Sequence, residues 1–306
     1  MQQSSPQNQV EQGTEKKVVR GHEWIQREYG DEKWSMMHDI LAEIIRQGET
    51  SMPRVMRKAL QIMRTDWTLT RPSAVEQAAR SSSEGLKQLE CVLGGQLLRL
   101  PAAVAWEAFD EGSANLLQGF CPPDADAVIE LGSGWGRRLA DVWLRGTPKS
   151  AAYFGCEYTE TGVACNTLLG STEKEFNLTS FQFDYHKPDL SSVAGRFKNV
   201  YVFTHSSIEQ IPMLKEDVLH EIMGLAPKVT VTHLEPIGWQ IKAARGLPVD
   251  TISSQKYAEE HDYNRNFWDV LTGLDAKGTL KIGEVVVDIL GINPKNADSL
   301  VTWSHG

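Results

Sequence analysis

The sequence predicts an α/β protein with a mostly parallel seven-stranded sheet and an antiparallel last strand, preceded by an N-terminal helical region. Short apolar, β-branched runs follow residue 121, and helix-like segments separate most of them. Only the loop 291–298 separates the last two runs, which leaves no room for a crossover helix and predicts an antiparallel pair. The predicted strands are 127–131, 151–158, 178–184, 199–205, 228–235, 281–289 and 299–305, and the predicted helices among them are 137–146, 159–170, 213–226 and 255–273.

The part of the chain before residue 121 has a different pattern. Residues 1–20 are polar and predict a disordered tail. From residue 21 to 120 apolar side chains recur at helical spacing, most clearly in the segment 34–49. We therefore predict a helical cap or substrate region over 21–120 and a ligand-binding domain over 121–306.

Composition excludes several classes of function. The formal net charge is -9, whereas a nucleic-acid-binding protein needs a basic surface. The chain has no apolar run long enough to span a membrane, and its first residues lack the apolar core of a secretory signal. None of the 4 cysteines stands in a C-x-x-C pair, which argues against structural zinc and for a reducing compartment. We expect a cytoplasmic protein without nucleic-acid or membrane partners, and homodimer formation is left open.

Acids and histidines follow five consecutive predicted strands. The carboxyl ends of parallel strands share one edge of a sheet, and ligands of open α/β sheets bind beyond that edge. A purely structural protein has little reason to collect such residues there. The residues concerned are Glu130, Glu157, Asp184, His205 with Glu209, and His233 with Glu235.

The glycine turn after the first of these strands reads Gly132-Ser133-Gly134-Trp135-Gly136. Such a turn serves either close packing or the close approach of a ligand to the backbone. Glu130 lies two residues before it and would repel a phosphate, whereas it would suit an ammonium group or a water molecule. The Walker pattern is absent, which argues against nucleoside triphosphate chemistry.

The ordered set "VIELGSGWG", Glu157 and "FDYH" strongly resembles the class I, Rossmann-like, S-adenosylmethionine-dependent methyltransferases. The resemblance covers about residues 121–306 and implies a Rossmann-like fold and S-adenosyl-L-methionine as cofactor. It implies that Glu157 holds the ribose hydroxyls, that Asp184 meets the adenine amine, and that Glu130 lies near the methionine part. The cofactor residues implied are Glu130, Gly132, Ser133, Gly134, Gly136, Glu157, Asp184 and Tyr185. Read singly, Glu157 and Asp184 are also plausible helix N-caps.

Candidate catalytic residues follow the fourth and fifth strands. His205 and His233 have the pKa class of a base near neutral pH, and Glu209 and Glu235 lie close to them in sequence. The alternative for each histidine is a hydrogen bond to the sheet backbone. These four side chains also suit a metal ion, but we predict no metal because the sequence does not establish that they converge.

The segment 261–271, "HDYNRNFWDVL", is the last candidate. Tyr263 is a candidate catalytic residue, and Asn264 and Arg265 are candidate substrate-binding residues on a lid, with Arg265 able to grip a carboxylate. The alternative is a solvated helix start capped by Asp262.

The resemblance and these residues predict methyl transfer to a small polar metabolite, such as an amino acid, a keto acid or a natural-product intermediate. A protein methyltransferase and a non-catalytic S-adenosylmethionine-binding regulator remain as alternatives. The acceptor atom and the substrate are not determined by the sequence.

Overall fold

A computed structural model describes residues 21–65, 88–249 and 252–306. Its central sheet has nine strands in the order β2-β1-β8-β9-β7-β6-β3-β4-β5. The tail predicted over 1–20 and part of the helical region, 66–87, lie outside the described residues. The strands are β1 (Gln88–Leu93), β2 (Gln96–Pro101), β3 (Ala127–Leu131), β4 (Ala152–Glu157), β5 (Leu178–Gln182), β6 (Asn199–His205), β7 (Lys228–Glu235), β8 (Lys281–Gly291) and β9 (Asp298–His305).

The direction of the strands confirms the predicted mixed α/β sheet. Strands β3 to β7 pair in parallel, and β9 pairs antiparallel with both β7 and β8. The prediction of seven strands was wrong, because an antiparallel hairpin, β1 and β2, extends the sheet beyond β8. Gly94 and Gly95 form its two-residue turn, and both have positive φ. A Gly-Gly pair between apolar runs is a hairpin signal, so a helix through residues 88–101 was the wrong prediction.

Helices cover both faces of the sheet, and each face has its own apolar core. Along β3 the pleat sends Ala127, Ile129 and Leu131 into one core and Val128 into the other. The α-helices are α1 (His22–Ile25), α2 (Ser35–Arg46), α3 (Met52–Thr65), α4 (Ala102–Gly119), α5 (Arg137–Leu144), α6 (Glu160–Gly170), α7 (Glu216–Met223), α8 (Gly238–Ala244), α9 (Gln255–Glu260) and α10 (Phe267–Ala276).

Three helices of other types complete the described elements. A π-helix (Gln26–Trp34) continues α1, and 3₁₀ turns occupy Ile208–Gln210 and Pro294–Asn296. The helix predicted over 255–273 is divided into α9 and α10, because Asp262 between them has a φ of 52° and breaks the helical path. Within the described ranges, no helix is long and apolar enough to cross a membrane.

The antiparallel strand β9 matters for the position of the site. Because β9 runs against β7, its first residues pair with the last residues of β7, as Ser299 does with Glu235. The start of β9 therefore lies at the edge where the parallel strands end. Asp298, the first residue of β9, is buried at this edge.

Candidate functional site

A cavity of about 410 Å³ lies beyond the carboxyl ends of the parallel strands. The glycine turn and the segments after β4, β5 and β6 form one side of it. The π-helix and α4 contribute aromatic side chains to the other side. The lining residues are Ile25, Tyr29, Lys33, Trp34, Met63, Trp106, Phe109, Asp110, Glu130, Gly132, Ser133, Gly134, Trp135, Arg137, Arg138, Glu157, Tyr158, Asp184, Tyr185, His186, His205, Ser206, Ser207, Glu209, Gln210 and Ile211.

The glycine turn is held by the neighbouring strand and covered by the π-helix. The amides of Gly132 and Ser133 donate to the carbonyl of Cys156 at 2.7 and 3.0 Å. Gly134 has a φ of 55°, and a Cβ there would lie 2.8 Å from the Trp34 ring. The turn therefore needs glycine at residue 134 both for its conformation and because Trp34 approaches the backbone closely.

Gly136 differs from the other two glycines of the turn. It is absent from the described lining of the cavity, and a Cβ there would lie 2.8 Å from Oδ1 of Asn166. Asn166 on α6 donates to the carbonyl of Gly134 at 2.7 Å. The structure thus gives Gly136 a packing role beside α6, and its contact with a cofactor stays a prediction.

Glu157 ends β4 and reaches back to the glycine turn. Its Oε2 accepts from the amide of Gly134 at 2.9 Å, and its Oε1 accepts from the amide and hydroxyl of Thr159 at 3.2 and 3.1 Å. The side chain is buried but lines the cavity, and burial raises the pKa of its carboxyl. The N-cap of α6 is Thr159, whose hydroxyl accepts from the amide of Gly162, so Glu157 is not the cap itself.

Two buried oxygens beside the glycine turn line the cavity without a hydrogen bond in the described structure: Oε2 of Glu130 and Oγ of Ser133. Burial raises the pKa of Glu130 well above its ordinary value, although the neighbouring Arg138 guanidinium opposes that change. A buried polar group without a partner costs free energy, on the order of 1 to 3 kcal/mol. Both atoms are therefore suited to bond a ligand in the cavity.

Asp184 and Tyr185 line the cavity after β5. Oδ1 of Asp184 accepts from the amide of His186 at 2.8 Å, and a quarter of its side chain is exposed. The Tyr185 hydroxyl donates to the carbonyl of Leu131 at 3.0 Å and lies 2.9 Å from Oγ of Ser207. Tyr185 thereby ties the loop after β5 to the start of the glycine turn.

His205 ends β6 and lines the cavity beside Phe109, with the two ring centroids 5.8 Å apart. Its Nε2 is buried, makes no hydrogen bond in the described structure, and lies 3.7 Å from Oδ2 of Asp298. Burial, and then the positive charges of Arg138 and Arg137, lower the pKa of His205 well below its ordinary value. His205 is therefore a neutral imidazole with one unsatisfied nitrogen.

Glu209 lines the same part of the cavity. Its Oε1 accepts from Nε2 of Gln210 at 2.6 Å, and its Oε2 accepts from Nδ2 of Asn296 at 3.0 Å. Asn296 lies two residues before β9, so the loop between β8 and β9 also reaches this end of the cavity.

His233 and Glu235 of β7 do not lie among the described residues that line the cavity. Nδ1 of His233 lies 2.9 Å from the Thr204 hydroxyl, and its Nε2 accepts from Nε1 of Trp303 at 2.9 Å. Both ring nitrogens are thus used inside the sheet, and burial lowers the pKa of His233 to about 3. The structure gives His233 a structural role instead of the predicted catalytic one.

Glu235 has a positioning role. Its carboxylate accepts from three consecutive backbone amides, those of Ser207, Ile208 and Glu209, at 3.1 to 3.2 Å. Burial raises the pKa of its carboxyl to about 7. Glu235 therefore holds the segment after β6 in place, rather than acting on a ligand as predicted.

The three predicted residues of the segment 261–271 have other contacts and are not among the described lining residues. Nδ2 of Asn264 donates to the carbonyl of Ile211 at 2.7 Å, and its Oδ1 accepts from the amide of Phe267 at 2.8 Å. Arg265 pairs with Asp262 at 2.8 Å, and the Tyr263 ring stacks on that of His261. Asn264 thus organises the start of α10, which is the role that the sequence had suggested for Asp262.

The sequence did not indicate the aromatic walls. Tyr29 and Trp34 of the π-helix have ring centroids 5.9 Å apart, and the ammonium of Lys33 lies over both rings. Trp106 and Phe109 of α4 form the second wall, at 6.2 Å. Their helical spacing is also typical of core residues, so only the docking of these helices on the sheet identifies them as cavity residues.

A charged cluster lies beside the second wall. Asp110 pairs with Arg137 at 2.7 Å and with Arg138 at 3.5 Å. All three residues line the cavity, and the two arginines open the helix that follows the glycine turn. As for metals, the described residues contain no group of three or more His, Cys, Asp or Glu side chains that could hold an ion.

Comparison with known proteins gives matches among solved structures alone, since no family model and no curated protein matches the chain. A SAM-dependent methyltransferase from Aquifex aeolicus is similar at 14% identity, over 65% of this chain and 90% of that one, with a TM-score of 0.43. The CcbJ methyltransferase from Streptomyces caelestis is similar at 15% identity, over 64% and 89%, with a TM-score of 0.41. A phosphoethanolamine N-methyltransferase from Haemonchus contortus, in complex with S-adenosylhomocysteine, is similar at 13%, over 64% and 52%, with a TM-score of 0.43.

The topology of the sheet is decisive for the fold. Helices follow β3, β4, β6 and β7, the glycine turn follows β3 in the middle of the five parallel strands, and an antiparallel β9 lies between β7 and β8. The chain has a Rossmann-like α/β fold.

Proposed function

We propose that this protein is an S-adenosylmethionine-dependent methyltransferase that acts on a small polar metabolite. The observation that carries the proposal is the pair of unpartnered buried oxygens, on Glu130 and Ser133, in the wall of a cavity built around the glycine turn. When bound, the cofactor supplies an electrophilic methyl group on a sulfonium. The residues of the chain bind it, exclude water and prepare the acceptor.

The donor and acceptor groups of the cavity fit this cofactor. Its ammonium would complete the hydrogen bonding of Glu130, which a phosphate would not. Glu157 and Asp184 carry carboxylates at the ends of neighbouring parallel strands, where two ribose hydroxyls and an adenine amine can donate to them. Hydrogen bonds to charged groups contribute about 1.5 to 3 kcal/mol each, so bonds of this kind would favour binding of this cofactor.

The other end of the cavity suits the acceptor. His205, Glu209 and Gln210 lie there with Phe109 and Trp106. A neutral imidazole beside an apolar ring is arranged to accept a proton from a bound molecule. His205 is therefore the candidate catalytic base in this proposal.

A small acceptor is favoured by the shape of the cavity. The π-helix and α4 contribute walls on the side opposite to the sheet, and Trp34 lies directly over the glycine turn. The volume of about 410 Å³ is within the range of small-molecule sites, of about 300 to 1,000 Å³. We further propose that the region 21–120 acts as a cap that limits the size of the acceptor.

The test is transfer of a labelled methyl group to a metabolite extract and, in parallel, to a protein extract. The proposal predicts labelled products in the metabolite extract. Label in the protein extract alone would indicate a protein methyltransferase. Tight binding of S-adenosylhomocysteine by calorimetry without transfer to either extract would instead indicate a non-catalytic regulator.

A further inference from the structure

Asp298, the first residue of the antiparallel strand β9, lies next to the His205 ring. Oδ2 of Asp298 lies 3.7 Å from Nε2 of His205, too far for a hydrogen bond but near enough for a small movement of the ring to form one. Oδ1 of Asp298 accepts from the Ser206 hydroxyl at 3.4 Å, and the Asp298 carboxyl is buried. Since Nε2 is the nitrogen turned towards Asp298, Nδ1 is left to meet a molecule in the cavity.

We propose that Asp298 is the positioning residue of His205, and that the acceptor is a hydroxyl or ammonium group that gives up a proton to His205. This inference rests on the proposed function, and it excludes acceptors without an ionisable proton, such as a thioether. When it is ionised, Asp298 selects the imidazole tautomer with hydrogen on Nε2, which leaves the lone pair of Nδ1 for the acceptor.

The acceptor, the sulfonium, His205 and Asp298 together account for every proton and electron pair in the transfer. The O–H or N–H bond of the acceptor breaks, its proton passes to Nδ1, and its electron pair remains on the acceptor atom to bond the methyl carbon. The electrons of the broken methyl–sulfur bond stay on sulfur. The imidazole then has hydrogen on both nitrogens, and the Nε2 hydrogen can pass to the Asp298 carboxylate.

The surroundings favour that last transfer. Arg138 and Arg137 on α5 disfavour a positive charge on His205. Burial, and then the Glu209 and Glu235 carboxylates, raise the pKa of Asp298 well above its ordinary value. Both influences favour the proton on Asp298 over the imidazole, and the proposal predicts that the two groups titrate as a coupled pair.

The test is nuclear magnetic resonance of protein labelled in histidine rings and aspartate carboxyls, titrated from about pH 5 to 8. The His205 signals are assigned by their loss in His205→Gln. We expect His205 and Asp298 to move in common steps in the wild type. In Asp298→Asn we expect the Nε2-protonated tautomer to lose its preference and the His205 midpoint to move by about one pH unit or more.

The matched control is Asp288→Asn. Asp288 is also a buried aspartate, but it pairs with Lys242 outside the described lining of the cavity. The Asp288→Asn variant should leave the His205 tautomer and the midpoint of the His205 titration unchanged. An equal response in both variants, or none in a folded Asp298→Asn, would overturn the proposal. If Asp298→Asn does not fold, separate titration steps for His205 and Asp298 in the wild type would overturn it.

Transfer to the metabolite extract tests the acceptor. We expect the wild-type rate to rise with pH as the pair loses its proton, and Asp298→Asn to lose this dependence, with partial recovery in Asp298→Glu. A rise that persists unchanged in Asp298→Asn contradicts the inference. Failure of the proposed function would have a different signature, namely no binding of S-adenosylhomocysteine by calorimetry while the coupled titration persists.

Discussion

Strands β6 and β7 lie side by side, and a histidine and a glutamate lie at or just after the carboxyl end of each. On β6 His205 and the following Glu209 line the cavity, and Nε2 of His205 has no hydrogen-bond partner in the described structure. On β7 His233 and Glu235 are fully buried, and both bond to neighbouring elements. The sequence signal was the same for both pairs. What separates ligand chemistry from structure here is whether the hydrogen-bonding capacity of each group is already used within the protein.

Replacement of His205 is expected to have the largest effect. His205→Gln should lower the rate of methyl transfer about 100- to 10,000-fold, the usual contribution of a positioned base. Unfolding by urea should change little, because the wild-type imidazole already leaves Nε2 unsatisfied. If His205→Gln transferred methyl groups at the wild-type rate, His205 would have no more part in the reaction than His233.

His233→Ala should give the opposite pattern. Loss of the imidazole leaves Thr204 and Nε1 of Trp303 without these partners inside the sheet and creates a cavity, at a cost of about 3 to 4 kcal/mol in the free energy of unfolding. The transfer rate per folded molecule should stay close to that of the wild type. Urea denaturation and the labelled-methyl assay, run on one preparation, measure both quantities.

Glu157 combines the ligand-facing role of His205 with the structural role of His233, so its replacement should affect both ligand binding and stability. It lines the cavity, and its buried carboxylate also accepts hydrogen bonds from Gly134 and Thr159, so it contributes to folding as well as to the cavity. Glu157→Ala should weaken S-adenosylhomocysteine binding by about 2 to 4 kcal/mol, or about 30- to 1,000-fold, and should also lower stability.

Calorimetric titration measures that affinity, and Glu157→Gln is the matched variant. It keeps the size and one acceptor oxygen, so it should recover more of the stability than of the affinity. Binding by Glu157→Ala within about threefold of the wild type would limit Glu157 to its structural contacts.

The smallest effect concerns pH and Glu235. Burial raises the folded-state pKa of Glu235 from its ordinary value of 4.5 to about 7. The folded protein therefore holds this proton more tightly than the unfolded chain, and the associated stability is present below about pH 4.5 and lost as the pH rises to about 7. Glu235→Gln should remove up to about 3 kcal/mol of this dependence. Urea denaturation at a series of pH values tests it, and equal slopes for both proteins would contradict it.

His233 contributes to the pH dependence of stability with the opposite sign to Glu235, and this difference provides a check on the Glu235 prediction. Its pKa falls from 6.5 to about 3 on folding, so its contribution is present above pH 6.5 and is lost as the pH falls towards 3. With Glu235 replaced, the remaining pH dependence should have this sign.

The order of elements from β3 to β9 could be predicted because periodicity, glycine turns and loop length are local properties. Glu157, Asp184 and His205 could be placed at the cavity because the end of a parallel strand is recognisable in sequence. Asp298 was missed since only carboxyl ends were considered, whereas an antiparallel strand begins at that edge. This rule alone, applied to the predicted last strand, would have directed attention to Asp298.

The sequence by itself determined the class of fold, the glycine turn and the carboxyl edge at which polar side chains gather, because each depends on residues close together in the chain. Only the tertiary structure decided which of those side chains remain available to a ligand. Thr204 and Trp303 form hydrogen bonds with both ring nitrogens of His233, and the backbone amides after β6 donate to the carboxylate of Glu235. These partners come from other segments of the chain, some of them about 70 residues away, and a hydrogen bond is made or left open only when the strands have come together.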